Sequence, residues 1–298
     1  MTLQENNALA VIDIEAGAVT ELIPLGTKDH SQAGNAFDAS DRDGANNGPR
    51  INIKTWPVQG LYLPDGIDSY QVGGETFLVL ANEGDARADW PGFNEEARVG
   101  DASYVLDPTA FPNAADLKLN RNLGRLRATR ATGDLDGDGD FDVIHSFGGR
   151  SFTIRDANGA LIFDSGDQLE QATAAVYPTF FNASHDNNTF DSRSPNKGPE
   201  PEGVAIGKVA GRSYAFVALE RIGGIAAYDI SDPYAPFLSD YVNHRDFLQA
   251  PASGLAGDLG PEGIIFIKEE DSPNGKPLVV IGNEISGTTT VYEVNRAR

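Results

Sequence analysis

The chain has 298 residues, no cysteine and a formal net charge of −21. That length suits one large domain or two ordinary ones, and the absence of cysteine excludes disulfides, zinc–thiolate sites and thiol nucleophiles. The acidic balance argues against nucleic acid and anionic membranes as partners, since both recruit Lys/Arg patches, and it favours divalent cations.

No apolar run reaches membrane-spanning length, and the opening "MTLQENNALA" lacks the charged and apolar regions of an export signal. From Glu5, "ENNALAVIDI" reads as a small-residue turn and a strand closing on Asp13, and "EAGAVTELIPLG" adds an outer strand. Residues 1–26 thus resemble the second half of a unit whose complete form comes later, and the expectation is a partial first blade of an N-terminally truncated fold. Residues 27–60 follow as a long loop rich in Asn, Asp, Gly and Pro. Next, "PDGIDSYQVGGETFLVLANE", Pro64 to Glu83, reads as two strands around a Gly73-Gly74 turn. A second long loop covers 84–124. Long insertions of this kind are either functional caps or tolerated decoration.

"DLDGDGDFD" comes next, followed by "FDVIHSFGGRSFTIRDANGALIFDSGD", which holds three short strands with an Asn158-Gly159 hairpin turn. "GDQLEQATAAV" reads as a short helix. The Pro64 pattern then returns in full as "PEGVAIGKVAGRSYAFVALE", Pro201 to Glu220, with its turn at Ala210-Gly211. "ERIGGIAAYDI" and "SDPYAPFLSDYV" supply a third and a fourth strand. It returns again as "PEGIIFIKEEDSPNGKPLVVIGNE", Pro261 to Glu284, with its turn at Asn274-Gly275, followed by "EISGTTTVYEV". Asp65 to Glu83 and Glu202 to Glu220 are both eighteen positions; Glu262 to Glu284 is twenty-two, the excess lying in "KEEDSPNGK".

Four short antiparallel strands per unit, in units of unequal length, predict an all-β chain of the β-propeller type. It reads as one domain over 1–298 with four-stranded blades. A β-sandwich leaves the recurring carboxylate at one strand edge unexplained, and a β-helix would show shorter, more even periods.

Two constellations carry chemistry. Asp134, Asp136, Asp138 and Asp142, with Asp140 between them, place five aspartates in nine residues. Alternating carboxylates around a glycine turn suit a hard cation such as Ca²⁺, here between strands and without the closing glutamate of a helical calcium loop; the alternative is a solvated acidic turn. The second constellation is the frame itself. Asp65, Glu202 and Glu262 open the units, and Glu83, Glu220 and Glu284 close them, with Glu5 in the partial blade. Around a propeller axis these would ring one channel mouth. There they would hold a metal, a second divalent or trivalent ion beside the Ca²⁺ of the aspartate loop, or else accept hydrogen bonds from neighbouring blades. His30, His145, His185 and His244 are scattered, and His30 and His185 lie in loops long enough to reach a site. No catalytic residue is assigned: no nucleophile elbow, phosphate loop or dinucleotide fingerprint is present.

The strings "ANEGDARADW", "GDLDGDGDFDVIHSFGGRSFTIRDANG", "GPEPEGVAIG", "YAFVALERIGGIAAYDISDP" and "EDSPNGKPLVVIGNEISGTTTVYE" resemble the choice-of-anchor I family along essentially the whole chain. That family is similar to what is called mesenchyme-specific cell-surface glycoprotein in animals. The resemblance implies a β-propeller of a secreted or cell-surface protein, longer at the N-terminus and carrying a C-terminal anchor after the "VNRAR" at which this chain stops. Some family members carry an alkaline phosphatase label. The frame is also similar to that of propeller phosphatases and phytase-like esterases, which marks the six frame carboxylates as candidate metal ligands. Lack of cysteine counts against the iron site of some such enzymes, and only Arg87 and Arg221 stand near the frame to recognise phosphate. Two functions are therefore expected: a calcium-binding surface module contacting surface ligands, or a metal-dependent hydrolase of phosphoesters.

Overall fold

Turn chemistry sets the strand boundaries of the computed structural model, which describes residues 1–295; the last three residues of "VNRAR" lie outside the described residues. Strands β1 (Thr2–Leu3), β2 (Ala8–Asp13) and β3 (Ala18–Pro24) form the first sheet, in that order. Strands β4 (Thr27–Asp29) and β5 (Gln59–Leu61) pair antiparallel. Strands β6 (Ile67–Val72) and β7 (Glu75–Ala81) make the Gly73-Gly74 hairpin. The chain then runs through β8 (Glu96–Arg98), α1 (Ala114–Leu117), β9 (Arg127–Thr129) and β10 (His145–Phe147). Strands β11 (Phe152–Asp156) and β12 (Leu161–Asp164) follow, joined at Asn158-Gly159, and then the expected helix, α2 (Gln168–Val176).

The late units have the predicted form. Strands β13 (Pro201–Val209), β14 (Arg212–Leu219), β15 (Ile225–Asp229) and β16 (Phe237–Val242) give a four-stranded antiparallel meander. Ala210 and Gly211 take φ of 49° and 86° in its first turn, the left-handed pair whose twist matches the flanking strands. Strands β17 (Pro261–Ile267), β18 (Leu278–Asn283) and β19 (Thr288–Glu293) repeat the first three of these.

The middle of the chain departs from the sequence reading. The three strands of "FDVIHSFGGRSFTIRDANGALIFDSGD" do not share a sheet. β11 pairs with β7, so the order β12-β11-β7-β6 completes the Pro64–Glu83 unit across an insertion. β10 instead joins β5 in parallel, within the five-stranded order β4-β5-β10-β9-β8. The two long loops, 27–60 and 84–124, therefore fold together as one lobe. Its core holds Phe37, Trp56, Val99, Tyr104, Leu123 and Ile144, all buried. Each fully buried side chain of this size contributes ~1.5–3 kcal/mol, which is enough to order a segment whose composition reads as loop.

Strand alternation stacks the other four sheets in a row. Leu78 and Leu80 of β7 face Leu9 and Ile23 of the first sheet. Phe77, Val79 and Ala81 of the same strand face Val204, Val217 and Tyr228. On β14, Phe216 turns the opposite way, onto Val279, Ile281 and Phe266 of the last sheet. Both ends of the row stay apolar: Val19 and Leu22 are 57% and 61% exposed on the first sheet, and Ile265 and Val291 are 58% and 57% exposed on the last. The architecture is thus all-β, in small sheets of three to five strands. No helix among the described residues is long and apolar enough to cross a membrane.

Candidate metal centre at the acidic frame

The glycine of the Pro-(Asp/Glu)-Gly motif explains how the frame is gathered. Gly66 N–H donates to the carbonyl of Glu202 at 3.1 Å. A Cβ on Gly66 would stand 2.7 Å from that oxygen, and one on Gly203 would stand 2.4 Å from the carbonyl of Glu262. Each opening motif therefore abuts the next. A Cβ on Gly263, in the last copy, would meet nothing within 4 Å.

The residue before each motif proline is left-handed: Leu63 at φ 46°, Glu200 at 52° and Gly260 at 65°. Its carbonyl accepts an N–H from the end of the second strand, from Gly84, Glu220 and Glu284 respectively. Register breaks between Pro201 and Val204 and between Pro261 and Gly263. A bulge there re-aims the glutamate it contains. The repeat is thus one of backbone conformation as well as of letters. For Leu63 and Glu200 that conformation costs ~1–3 kcal/mol each, a strain characteristic of functional sites.

The frame side chains converge. Glu83, Glu202 and Glu220 each present an oxygen within 4.8 Å of the others, and all three are buried. A second group, His185, Glu220 and Glu284, meets the same criterion and shares Glu220 with the first. Asp65 lies close enough to Glu202, and Glu262 to Glu284, for each pair of carboxyls to influence the other's charge. Glu5 contributes only at longer range, through its charge on Asp65.

Cations are distributed unevenly over this centre. Lys197 pairs with Glu83 and, at 3.0 Å, with Glu200. Glu200, fully buried, also takes Arg193 at 2.5 Å and Arg221 at 2.9 Å. Burial would raise the Glu200 carboxyl, but Lys197, Arg193 and Arg221 outweigh it and hold it well below the carboxylate range. Glu220 meets Arg221 at 3.1 Å and His185 Nδ1 at 3.2 Å. Glu202 has no cation, and its Oε2 has no partner at all. Burial first, then the charges of Glu83, Glu220 and Asp65, push Glu202 up to about 10. Burial likewise raises Glu83 to about 7 against the pull of Lys197. Two carboxylates ~4 Å apart repel by ~4 kcal/mol at an effective dielectric constant of 20, so this group requires protons or a cation. A buried carboxylate with an orphaned oxygen, grouped with two others, fits a hard, oxygen-seeking ion.

The Asp134 loop behaves differently. Asp134, Asp136 and Asp142 present oxygens within 4.8 Å of one another. Asp138 stands outside that group and accepts the Asp140 N–H at 3.1 Å. Gly137 and Gly139 N–H groups donate to Asp134 at 2.7 and 3.1 Å, and Gly139 takes φ 101°, as a tight oxygen-lined turn requires.

Of the two loop histidines, only His185 reaches the frame. His30 is 1% exposed, its Nδ1 is 2.7 Å from the Asn35 carbonyl and its ring lies edge-on to Phe37. Burial drives it down to about 3, the state of a neutral core histidine. His145 bonds Thr132, and His244 packs at a tilt against Tyr292. The sequence reading missed Lys197, Arg193 and Glu200. The doubled Pro-Glu of "GPEPEG" was the available signal for Glu200; nothing local marks the two cations.

An all-β chain whose successive sheets deliver carboxylates to one shared pole defines the class of protein. The choice-of-anchor I domain matches residues 1–233, and the chain belongs to that family. It is 33% identical over 184 residues to Gigasin-3a of Magallana gigas, covering 58% of this chain and 64% of that protein. It is 28% identical over 244 residues to the mesenchyme-specific cell surface glycoprotein of Strongylocentrotus purpuratus, covering 71% of this chain and 30% of that protein. The chain thus spans less than two thirds of either curated relative.

Proposed function

We propose that this chain forms part of an extracellular β-propeller that binds divalent cations at its acidic pole and serves as a cell-surface or matrix-facing binding module. Support for the propeller comes from four sheets in a row, abutting inner strands, and apolar faces left at both ends of the row for further blades. The names of the relatives support the surface location. The observation that carries the cation reading is Glu202: buried, unpaired at Oε2, and turned toward Glu83 and Glu220. A calcium-class ion there would relieve the repulsion. A second ion at Asp134, Asp136 and Asp142 would serve the lobe as a purely structural clamp.

One observation favours an enzymatic variant of this reading. Glu220 belongs to both donor groups and so could bridge two ions. Paired ions supply Lewis-acid polarisation of a phosphoryl oxygen and a more acidic bound water. In that variant Arg221 would orient the anionic substrate, and His185 would offer its ring nitrogen to the second ion alongside Glu220 and Glu284.

The two readings separate in one experiment. Dialysed protein is assayed for bound Ca²⁺ and for hydrolysis of an aryl phosphate, unmutated and as Glu202→Gln and Glu220→Gln. The module reading expects cation uptake, lost in Glu202→Gln, with no turnover. Metal-dependent turnover lost in Glu220→Gln establishes the hydrolase. Absence of cation uptake that depends on Glu202 overturns both.

A further inference from the structure

The lobe carries a basic strip in an otherwise acidic molecule. Residues 118–130 hold five basic residues and no Asp or Glu, in a chain of net charge −21. Part of that strip is β9, whose register against β8 sets Arg127 directly opposite Arg98. Residues directly opposite in an antiparallel pair project from the same face, and like charges placed so are destabilising. The neighbouring pair, Ala97 and Ala128, turns the other way into the core of the lobe. Arg125 stands beside them: its carbonyl accepts Arg98 Nη1 at 2.9 Å. Arg130 ends the strip, with Nη2 on the Glu96 carbonyl at 2.8 Å.

Carboxylates reach only part of this group. Arg125 makes a two-point contact with Asp41 at 2.7 and 2.9 Å, and Asp41 also meets Arg42 at 3.0 Å. Arg127 takes Glu96 at 2.6 Å. Asp101 accepts the Arg98 backbone N–H at 2.9 Å. Among the described residues no carboxylate pairs with the guanidinium of Arg98 or of Arg130; each meets a backbone carbonyl. Burial first, then the charges of Arg125 and Arg127, hold Arg98 below its ordinary value. A guanidinium carries more N–H donors than one carbonyl uses, and its fork matches a carboxylate at two points, as Arg125 does with Asp41.

The loop that feeds β8 adds an apolar platform. Trp90 and Phe93 are 51% and 42% exposed and pair with each other in a β-bridge, and the Arg87 guanidinium lies 5.1 Å from the centre of the Phe93 ring. Arg87 pairs with Glu95, whose carbonyl accepts the Arg130 N–H at 2.8 Å, so platform and arginines are joined by direct contacts. Exposed Trp beside Arg is the composition of binding hot spots, and the large apolar face of an aromatic ring suits the C–H face of a pyranose. We propose that this side of the lobe binds an acidic polysaccharide whose rings carry carboxylates, a polyuronate, with Arg98 and Arg130 gripping carboxylates and Trp90 seating a sugar ring. The assignment rests on the surface-module reading above and gives that module a partner. Charge and ring are needed together: a small anion has no use for Trp90, and a neutral glycan has none for Arg98.

The test titrates the full chain with an oligomer of galacturonic acid by calorimetry, in EDTA. Chelation removes any calcium bridge between the oligomer and the acidic pole, so this result stands or falls separately from cation binding at Glu202. Saturable binding is expected, weakened by added salt and about tenfold weaker in Arg98→Gln and in Trp90→Ala. Arg98→Gln removes a like-charge contact and should melt no lower than the unmutated chain, so its loss of binding is not unfolding. Trp90→Ala, at an exposed tip, carries the test alone if Arg98→Gln fails to fold. A neutral galactose oligomer and a poly-glutamate of equal charge should each bind at least about tenfold more weakly than the uronate. No binding of the uronate oligomer, or binding that either folded variant retains in full, overturns the site. Equal affinity for poly-glutamate makes it a patch for acidic protein, and equal affinity for the neutral oligomer makes it an aromatic platform; either result overturns the polyuronate assignment.

Discussion

The Glu83–Glu202–Glu220 group and the Asp134–Asp136–Asp142 group each place three carboxylates within 4.8 Å of one another, yet one is buried throughout and the other lies largely in solvent. Water screens the second, and the nine residues from Asp134 to Asp142 suffice to build it. Two sheets distant in sequence assemble the first, Lys197 and Arg221 balance it partially, and Glu202 remains unpaired. The difference teaches that spacing identifies an exposed cation loop, whereas a buried one is identified by what its carboxylates lack.

The largest effect that could break this contrast is at Lys197. Removing one partner of a buried ion pair costs ~3–5 kcal/mol, because the other charge stays buried. Lys197→Met should lower stability in urea by about that amount; a loss under ~1 kcal/mol would mean that the pole is wetter than the geometry shows. The pH dependence of the cation-free protein comes next. Glu83 and Glu202 bind protons more tightly in the folded chain, near 7 and near 10, than they would unfolded. Their contribution is full below the ordinary carboxylate range and is lost as pH rises through those values. Each titrating group gives a slope of ~1.4 kcal/mol per pH unit, so melts in EDTA should fall by ~3 kcal/mol from Glu202 alone between pH 5 and pH 7. Saturating Ca²⁺ should flatten the profile, and a flat profile in EDTA would remove the basis for a buried, uncompensated cluster.

The exposed loop should respond to chelator and little to pH. An ion present at a hundred times its dissociation constant adds ~2.7 kcal/mol. Asp136→Asn should therefore remove an EDTA-sensitive increment of that order while leaving the pH slope intact. A loss of pH slope in that variant would couple the two regions. The smallest effect is a control on the scaffold between them. Gly159 is at φ 82°, where a Cβ would stand 2.5 Å from Ile23 Cγ2 of the first sheet. Gly159→Ala should cost ~1–2 kcal/mol and change neither the pH slope nor the EDTA increment.

Local chemistry was legible in the sequence. Alternating apolar runs around Gly73-Gly74, Ala210-Gly211 and Asn158-Gly159 became hairpins at those positions, because the pleat has period two and the turns need left-handed residues. Spacing alone singled out the frame carboxylates and the Asp134 loop as candidates, and of these Glu83, Glu202 and Glu220 come together, as do Asp134, Asp136 and Asp142; the helix after Gly166 forms where the sequence reading places it. What only tertiary structure decided was pairing at a distance. β7 leaves an open edge after Ala81, and nothing in the letters says that β11, some seventy residues later, rather than the next segment, will fill it. The loops at 27–60 and 84–124 read as polar because their apolar residues are sparse, and only by folding together do they bury Trp56 against the rest of their core. The same reason hid Lys197 from Glu83. A strand's pattern is written in its own residues, but the desolvation that makes a carboxylate demand a partner exists only once remote segments have closed over it.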